Sequence, residues 1–517
     1  MDQDQCSSGE RKRLPSWLGT LLIAAIYVAL MACTNTRFTM LDDESNSLSF
    51  AGRPLISALQ PFFKPAGDRE LHPPLTEILW HLWLVATHYS FLLLRLPANI
   101  LFAGAVIFTA LCAQRLAGTK AYWATLLLGL IWPFAFQYGR IAGWYTLSTC
   151  LLSLVTWIYL NLVEDRSAWL WVWLALACVA LVWSNYFGFV FLLLLLADLL
   201  LFHRSVARTR RRPLLISLAV VAVAFLPLLA SAVEDVGNYV GPEASAIRLK
   251  SEIAAVGYPL FAIFGSGAVA PWYWPLSLPV AAAAAALLVA MCFGAGRQWL
   301  IYTVLAMAAM ELGRVFDVKR VLIFIPWLLL AMAMAMFGSG SRFSSLAKGA
   351  VAVLVVAGWL GIASGHHYAT TNLQEPWGPV ARIVAEDTRR GATIVSENPP
   401  FFFYLDYELG LQSNMQAADQ SDLGADFYRS QGFTIIEPDH EGKQARLLRG
   451  KVVLVKGAGM IEDVEAMNEL NDALGRRCAV LGEYRAAPDP ALAWKRRFAN
   501  DVPVLPYRTD VTWFDCK

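Results

Sequence analysis

Charged residues are scarce in this chain, and that scarcity excludes a soluble globular fold for most of it. Of its 517 residues, 57% are hydrophobic and only 16% are charged, and the mean hydropathy is +0.49. Soluble domains carry about 25% charged residues. The charges lie between long apolar runs and become frequent after about residue 365, which predicts a membrane part followed by a smaller soluble part.

A strong net charge and a cysteine framework are also lacking. The formal net charge is +2, too small to bind nucleic acid by bulk electrostatics. The eight cysteines form neither a disulfide framework nor a metal-ligand spacing, and His366-His367 lacks further ligands nearby. Cys478 and Cys516 can pair if the tail lies in an oxidising compartment. The sequence leaves that pairing open, together with any need for a divalent metal.

Long apolar runs predict eleven membrane-spanning helices, since about 20 apolar residues cross the hydrocarbon core as a helix. The predicted spans are 17–35, 95–114, 119–138, 141–163, 168–184, 185–203, 213–232, 275–293, 298–313, 321–337 and 346–364. The first run follows Arg11 and resembles a secretory signal. Because many further runs follow, we interpret it as an uncleaved membrane helix.

Basic residues predict the orientation of these spans. Arg115, Lys120 and the arginine cluster from Arg204 to Arg212 fall on the same side as the N-terminus. By the positive-inside rule that side is cytoplasmic. Residues 1–16 are therefore expected in the cytoplasm, and the tail, 365–517, on the extracytoplasmic face of an inner (plasma) membrane.

Two apolar segments fit poorly as ordinary spans. Residues 73–94 open with two prolines and contain Glu77, and residues 253–272 contain Pro259 and several glycines. We interpret both as interfacial or re-entrant helices. Were both true spans, the total would be thirteen.

The tail has a different pattern, with helix-like and strand-like stretches in alternation. The helix-like stretches are 380–389 and 464–474, and the strand-like ones are 392–396, 433–436 and 451–455. Such alternation is typical of an α/β domain. It contains no glycine-rich phosphate loop, so no nucleotide is assigned to it. The predicted fold is a polytopic α-helical membrane domain, 17–364, with a first outer loop, 36–94, followed by a soluble α/β domain, 365–517.

Ionisable residues from distant parts of the chain fall on the predicted outer side of the spans. Charges at membrane level are costly unless they pair or face water, so they mark a candidate site. The candidate residues are Asp42, Asp43 and Glu44 after the first span, His72 before the segment 73–94, Arg140 with Tyr145 between the third and fourth spans, and Lys319 with Arg320 before the tenth.

This set of residues suits the transfer of a sugar from a polyprenyl phosphate. An outward-facing enzyme has no nucleotide sugars at hand, so its donor must arrive on a lipid. Arginine binds phosphate through forked hydrogen bonds, and a carboxylate can act as base or orienting group for an acceptor hydroxyl. Cations stabilise the departing phosphate.

The order of the motifs resembles the GT-C glycosyltransferases of family 39 type, which include protein O-mannosyltransferases and the aminoarabinose transferase of lipid A. The resemblance covers roughly residues 15–365. The motifs are Asp43-Glu44, His72-Pro73-Pro74-Leu75, Arg95-Leu96-Pro97, Tyr138-Gly139-Arg140 with Tyr145, and Lys319-Arg320 ahead of Pro326.

The resemblance implies a role for each matched residue. Asp43 corresponds to the family's catalytic aspartate and Glu44 to its neighbour, while Asp42 and Tyr145 are expected to line the cavity. The residues implied to bind the donor phosphate are His72, Arg140, Lys319 and Arg320. The chain departs from the family pattern at Gly139, often acidic in relatives, and at Val321, usually tyrosine, which leaves the particular sugar open.

The predicted function is an inverting glycosyltransferase that moves a sugar from a polyprenyl-phosphate-linked donor to a lipid, glycan or protein acceptor on the extracytoplasmic face of the membrane. A transporter or flippase of lipid-linked sugars is the alternative, although the chain lacks the internal repeats usual in transporters. A third class, a non-catalytic partner in envelope polysaccharide assembly, has no positive sign in the sequence.

Overall fold

The computed structural model of the chain describes residues 17–35, 40, 42–56, 59, 73–164, 167–229, 231–233, 249–267, 269, 271, 273–312, 319–339, 342–364, 377–396, 399–411, 425–436, 446–457, 461–485 and 510–517. Most of the described residues are helical. His72 lies outside the described residues, as do the paired histidines at 366 and 367.

Helices form the part of the chain that precedes the tail. They are α1 (Trp17–Thr34), α2 (Asp42–Gly52), α3 (Leu75–Ala86), α4 (Leu96–Ala117), α5 (Thr119–Ile131), α6 (Pro133–Tyr138), α7 (Trp144–Glu164), α8 (Ala168–Ser184), α9 (Gly188–Leu201), α10 (Arg204–Thr209), α11 (Arg211–Phe225), α12 (Leu249–Gly265), α13 (Trp274–Phe293), α14 (Arg297–Leu312), α15 (Ile325–Phe337) and α16 (Ser344–Ser364). Short 3₁₀ helices cover Phe91–Leu93, Leu226–Leu228 and Lys319–Phe324.

Helices occupy each of the eleven predicted spans, which confirms the multi-pass helical architecture. Among the described residues, seven helical segments are long and apolar enough to cross a membrane by length and composition. The predicted span 119–138 is interrupted, because Trp132 is extended and Pro133 starts a new helix, α6. Proline also begins α4 and α15, as expected where its missing N–H costs no helical hydrogen bond.

Hydrogen bonds between helix termini define two ends of the bundle. At one end Thr20 of α1 lies 2.6 Å from the hydroxyl of Tyr122 in α5, and Arg115 binds Glu164 at 2.6 Å. Helix α10 and the start of α11, with the arginines from 204 to 212, lie at this same end of the bundle. We name it the arginine-rich end. At the opposite end α1 stops and α2, α4 and α7 begin, and we name it the site end.

Helix α15 forms the centre of the bundle. Of the apolar window that spans Lys319–Phe337, 83% is buried, compared with 11% for Arg211–Leu228. The α15 side chains pack against α4, α5 and α7, whereas α11 exposes most of its apolar surface. A helix buried on all sides has no polar face, which explains the unbroken apolar sequence from Val321 to Phe337.

The two segments that fit poorly as spans are helical. Helix α3 packs against α2 and buries Glu77, Trp80 and Leu84. Helix α12 contains Pro259, and its last turn is capped where the indole of Trp132 donates to the carbonyl of Ile263 at 2.9 Å. Their interfacial or re-entrant position remains a prediction.

The tail contains an α/β sheet, as predicted. Its helices are α17 (Trp377–Arg389), α18 (Pro399–Leu409), α19 (Ala425–Ser430) and α20 (Ile461–Arg477), and its strands are β1 (Thr393–Val395), β2 (Thr434–Ile436), β3 (Gly450–Lys456), β4 (Ala479–Arg485) and β5 (Asp510–Cys516). The strand order is β2-β1-β3-β5-β4, with β1, β2 and β3 parallel and β5 antiparallel to both of its neighbours. Strands β4 and β5 were not predicted. A disulfide joins Cys478, just before β4, to Cys516 in β5.

Side chains of the tail share one hydrophobic core with the site end of the bundle. Phe91 packs edge-on against Tyr404 of α18 and also contacts Tyr407, with ring centroids 5.0 Å apart in both pairs. The same core includes Trp80 of α3 and Trp377 of α17. The tail therefore covers the ends of the helices at which the candidate site lies.

Candidate functional site

A buried ion pair joins α2 to the start of α4. Arg95 donates through Nε to Glu44 Oε1 at 2.7 Å and through Nη2 to Glu44 Oε2 at 2.6 Å. The Glu44 side chain is fully buried and that of Arg95 is 6% exposed. A forked, two-point contact of this kind fixes both side chains. Although Glu44 and Arg95 are far apart in the sequence, their ion pair therefore fixes the first turn of α2 against the start of α4.

Glu44 also holds the turn that precedes α7. Its Oε1 accepts the backbone N–H of Ala142 at 2.9 Å. The next residue, Gly143, has φ +152°, and a Cβ there would lie 3.5 Å from Ser47 Oγ of α2. The carboxylate of Glu44 thus connects three segments of the site end, namely α2, the start of α4 and the turn before α7.

Arg140 lies in the same turn and is buried, with 1% of its surface exposed. Its Nε and Nη2 donate to the carbonyl of Phe136 at 3.0 Å, and Nη1 donates to Thr34 Oγ1 at 3.1 Å. The guanidinium also stacks over the Phe136 ring, 4.6 Å from its centroid. These contacts bring Arg140 to the end of α1.

Asn35 is the point at which the two arginines meet. Its backbone carbonyl accepts from Arg95 Nη1 at 2.7 Å, and its side-chain oxygen lies 3.5 Å from Arg140 Nη1. Burial and the nearby charge of Arg95 lower the pKa of Arg140 to about 9. The guanidinium therefore keeps its positive charge at neutral pH and creates a positive potential beside α2.

The first turn of α2 contains the remaining predicted carboxylates. The backbone of Asp42 and Asp43 begins this helix immediately before Glu44, so Asp43 is adjacent in the chain to the Glu44–Arg95 pair. Tyr145 is buried beside Gly143 and packs on Trp144 with ring centroids 4.1 Å apart.

Lys319 and Arg320 occupy the 3₁₀ helix that leads into α15. Both residues are half-buried. This 3₁₀ helix packs against α6 and α7, the helices on either side of the Arg140 turn. The fold therefore brings the elements that carry Arg140 and Arg320 into contact, although the two residues are 180 positions apart in the sequence.

Steric crowding explains the departure from the family pattern at Gly139. A Cβ at this position would lie 2.5 Å from the carbonyl oxygen of Ala135 and 2.8 Å from the ring of Phe102. No acidic side chain fits there without moving α4 or α6. Val321, the other departure, is fully buried in the 3₁₀ helix.

Several buried polar side chains at the site end were missed by sequence reasoning. Among the described residues, Thr76 Oγ1, Trp80 Nε1, Thr146 Oγ1 and both amide atoms of Asn99 are buried without a hydrogen-bond partner. They belong to the first two turns of α3, α4 and α7. Such atoms are unusual in folded proteins and costly unless a ligand or water satisfies them. In the sequence, such side chains could have been recognised as polar residues at the start of an apolar run.

The tail adds a tyrosine close to the ion pair. Tyr404 of α18 is 5% exposed, and its hydroxyl is close enough to Arg95 and Glu44 to interact with both charges. Burial raises the pKa of Tyr404 to about 12, so that the hydroxyl keeps its proton. Within the described part of the chain, no group of three or more His, Cys, Asp or Glu side chains could hold a metal ion.

The fold is similar to that of a known membrane transferase. ArnT from Cupriavidus metallidurans in the apo state matches with a TM-score of 0.53 and 14% identity, over 96% of this chain and 97% of that one. ArnT is a lipid A aminoarabinose transferase with the GT-C fold. The chain thus has the GT-C fold, as the sequence resemblance implied.

An oligosaccharyltransferase from Archaeoglobus fulgidus is also similar. Its complex with zinc and sulfate matches with a TM-score of 0.46 and 13% identity, over 84% of this chain and 67% of that one. Its form tethered to an acceptor peptide matches with a TM-score of 0.45 and 13% identity, over 92% and 73% of the two chains. No protein-family model and no curated protein sequence matches the chain.

Proposed function

We propose that this multi-pass membrane protein is a glycosyltransferase that moves a sugar from a polyprenyl-phosphate-linked donor to an acceptor on the extracytoplasmic face. One observation carries the proposal. Arg95 and Arg140 both contact Asn35, and Arg95 also binds Glu44, the residue that follows Asp43 in the first turn of α2. A fold shared with ArnT over nearly the whole chain supports the same chemistry.

The two adjacent carboxylates take different roles in this proposal. Glu44 accepts two hydrogen bonds from Arg95 and one from Ala142, so three of the roughly four acceptor positions of its carboxylate are already engaged. It is therefore a positioning residue that fixes α2 against α4. Asp43, one residue earlier, is the proposed catalytic base or orienting group for the acceptor.

Cations at the site end are proposed to bind the donor phosphate. Arg140 is buried and charged, and Arg320 with Lys319 lies on the adjoining 3₁₀ helix. A guanidinium held in a low-dielectric setting stabilises an anion more strongly than one in water. His72 is a further proposed phosphate ligand, and Asp42 and Tyr145 are proposed to line the cavity around the sugar.

The proposed reaction is a single displacement. An acceptor oxygen forms a bond to the anomeric carbon while the bond from that carbon to the phosphate oxygen breaks. The acceptor proton passes to Asp43, and polyprenyl phosphate leaves with the electron pair, stabilised by the arginines. Attack opposite the leaving group inverts the anomeric configuration.

The buried polar atoms of α3, α4 and α7 fit a sugar ligand. Asn99 can donate and accept, Trp80 can donate, and the threonine hydroxyls can do both. Sugar hydroxyls require such mixed partners. Asn99 lies in the first turn of α4, directly after Arg95, which supports a sugar site beside the phosphate site. The acceptor class, whether lipid, glycan or protein, is not distinguished by these groups.

Purified protein in proteoliposomes tests the proposal. We expect a radiolabelled polyprenyl-phosphate sugar to lose its label to an acceptor in an envelope extract, and Asp43→Ala to abolish that transfer. Wild-type and variant proteins should elute identically on size exclusion and unfold at similar temperatures. Movement of the intact labelled lipid between leaflets without transfer would instead indicate a flippase, and the enzyme proposal would fail.

A further inference from the structure

An apolar cavity lies between helices in the half of the bundle toward the arginine-rich end. Its volume is about 230 Å³, and it is formed by α7, α8, α9 and α11. Trp171 and Ala175 of α8, Leu199 of α9 and Leu214 of α11 are among its lining residues. The proposed glycosyl-transfer site, at the site end, does not use any of them.

The cavity is open to the lipid side of the bundle. Leu193 and Leu218 line it, yet they are 62% and 42% exposed. Apolar cavities of about 150 Å³ remain dry and take up hydrocarbon ligands, and this one is larger. Hydrocarbon from the bilayer can therefore enter between α9 and α11, where water gains no hydrogen bonds.

A cluster of arginines follows the apolar lining directly at the arginine-rich end. Arg211 lies one turn of α11 before Leu214, and Arg204 lies five residues after Leu199, past the end of α9. Arg204, Arg208, Arg211 and Arg212 are all exposed. The nearby Asp198 carboxylate does not oppose this charge at the surface, because it is 4% exposed and accepts from Tyr159 and Tyr302.

We propose that this cavity, with the arginine cluster, binds one anionic phospholipid of the surrounding leaflet. An acyl chain fills the space between α8, α9 and α11, and the lipid phosphate lies among the arginines of α10 and α11. Charge complementarity selects the occupant, because a zwitterionic lipid offers no net charge to this cluster. Each arginine near a membrane surface contributes about fivefold to the affinity for anionic lipid.

Native mass spectrometry of the full-length protein, after removal of copurified lipid, tests this site. The probes are phosphatidylglycerol and phosphatidylcholine with the same acyl chains. We expect the wild type to retain one phosphatidylglycerol in preference to phosphatidylcholine. The variant Arg211→Gln/Arg212→Gln should weaken phosphatidylglycerol binding by about 25-fold. The variant Ala175→Phe should block the chain and reduce binding of both lipids.

A matched control separates a site from general surface charge. Arg342→Gln/Lys348→Gln also removes two basic residues near the ends of membrane helices but lies outside the cavity, so it should retain the phosphatidylglycerol. Equal loss in this control, or no preference for phosphatidylglycerol in the wild type, would overturn the proposal. Stronger binding of a short-chain polyprenyl phosphate than of phosphatidylglycerol would assign the cavity to that carrier instead. The exposed arginine variant should fold normally, so its result stands even if Ala175→Phe does not fold.

Discussion

Two buried carboxylates, near opposite ends of the bundle, are satisfied in different ways. Glu44 at the site end is held by the forked guanidinium of Arg95 and by a backbone N–H. Asp198 at the arginine-rich end accepts from the hydroxyls of Tyr159 and Tyr302, and from the amide of Gln298 at 2.6 Å. The first carboxylate depends on an opposite charge, and the second depends on neutral donors.

This difference between Glu44 and Asp198 indicates how the structure is stabilised at each end of the bundle. An ion pair that is buried costs desolvation energy and is retained where a precise position matters. At the site end it fixes α2 relative to α4, which would hold Asp43 in a constant place. Around Asp198, hydroxyl and amide donors from α7 and α14 connect three helices. His203 Nε2 lies 3.6 Å from the same carboxylate.

Removing the Glu44 charge should give the largest effect on stability. Glu44→Gln leaves Arg95 buried without its counter-charge, which costs about 3–5 kcal/mol. Thermal unfolding of the detergent-solubilised protein measures the loss. Glu44→Gln/Arg95→Met, which removes both charges, should recover at least half of it. Glu164→Gln, at the exposed Arg115–Glu164 pair, is the control and should change stability by less than about 1 kcal/mol. An equal loss of stability in this control would contradict the prediction that the buried ion pair contributes more than the exposed one.

A third buried carboxylate, Asp406 of α18, should make stability depend on pH. It is 5% exposed and accepts from Tyr428 at 2.5 Å. Burial raises the pKa of Asp406 to about 7, although the hydrogen bond from Tyr428 lowers it. The folded tail therefore holds this proton more tightly than the unfolded chain, so its stability should fall as pH rises from about 4 to about 7.

The expected loss over that pH range is about 2–4 kcal/mol, because one unit of pKa difference corresponds to about 1.4 kcal/mol. Unfolding midpoints of the wild type at pH 5 and pH 8 measure it. Asp406→Asn should remove most of the difference, whereas Asp515→Asn, at an exposed carboxylate of β5, should retain it. A wild type that is more stable at pH 8 than at pH 5 would contradict this prediction.

Asp198→Asn should have the smallest effect of the three. The amide oxygen of asparagine can still accept from Tyr302, whereas the amide N–H2 that replaces the second oxygen must donate to Tyr159 instead of accepting from it, so we expect a loss of about 1–2 kcal/mol. Sugar transfer should stay within about twofold of the wild type, since the residue lies at the end opposite to Arg140. A loss of stability as large as that of Glu44→Gln would show that the two carboxylates are equivalent and would remove the distinction between the two ends.

The sequence predicted the helices better than the contacts between them. Apolar runs located a helix within each of the eleven predicted spans, because hydropathy and length directly reflect the thickness of a bilayer. The motif residues Glu44 and Arg95 were both recognised, but their pairing depends on how α2 folds back onto α4. Asp198 stands alone within a leucine run, and only the packing of α7, α9 and α14 reveals its donors.

Short strands and docking surfaces were also beyond the sequence. Strand β4 depends on pairing with β5, from which it is separated by 24 residues of chain, and neither strand has a strong alternating pattern. Helix α18 was not predicted, and in the structure its Tyr404 and Tyr407 pack against Phe91 of the bundle. Local patterns do not specify partners of this kind.

Binding of a short-chain polyprenyl phosphate to the purified protein tests most directly whether the donor phosphate lies at the site end. We predict that Arg140→Gln weakens this binding by at least tenfold, while Arg211→Gln/Arg212→Gln leaves it unchanged. Unchanged binding in Arg140→Gln, with a loss in the other variant, would place the phosphate at the arginine-rich end and contradict the proposed site.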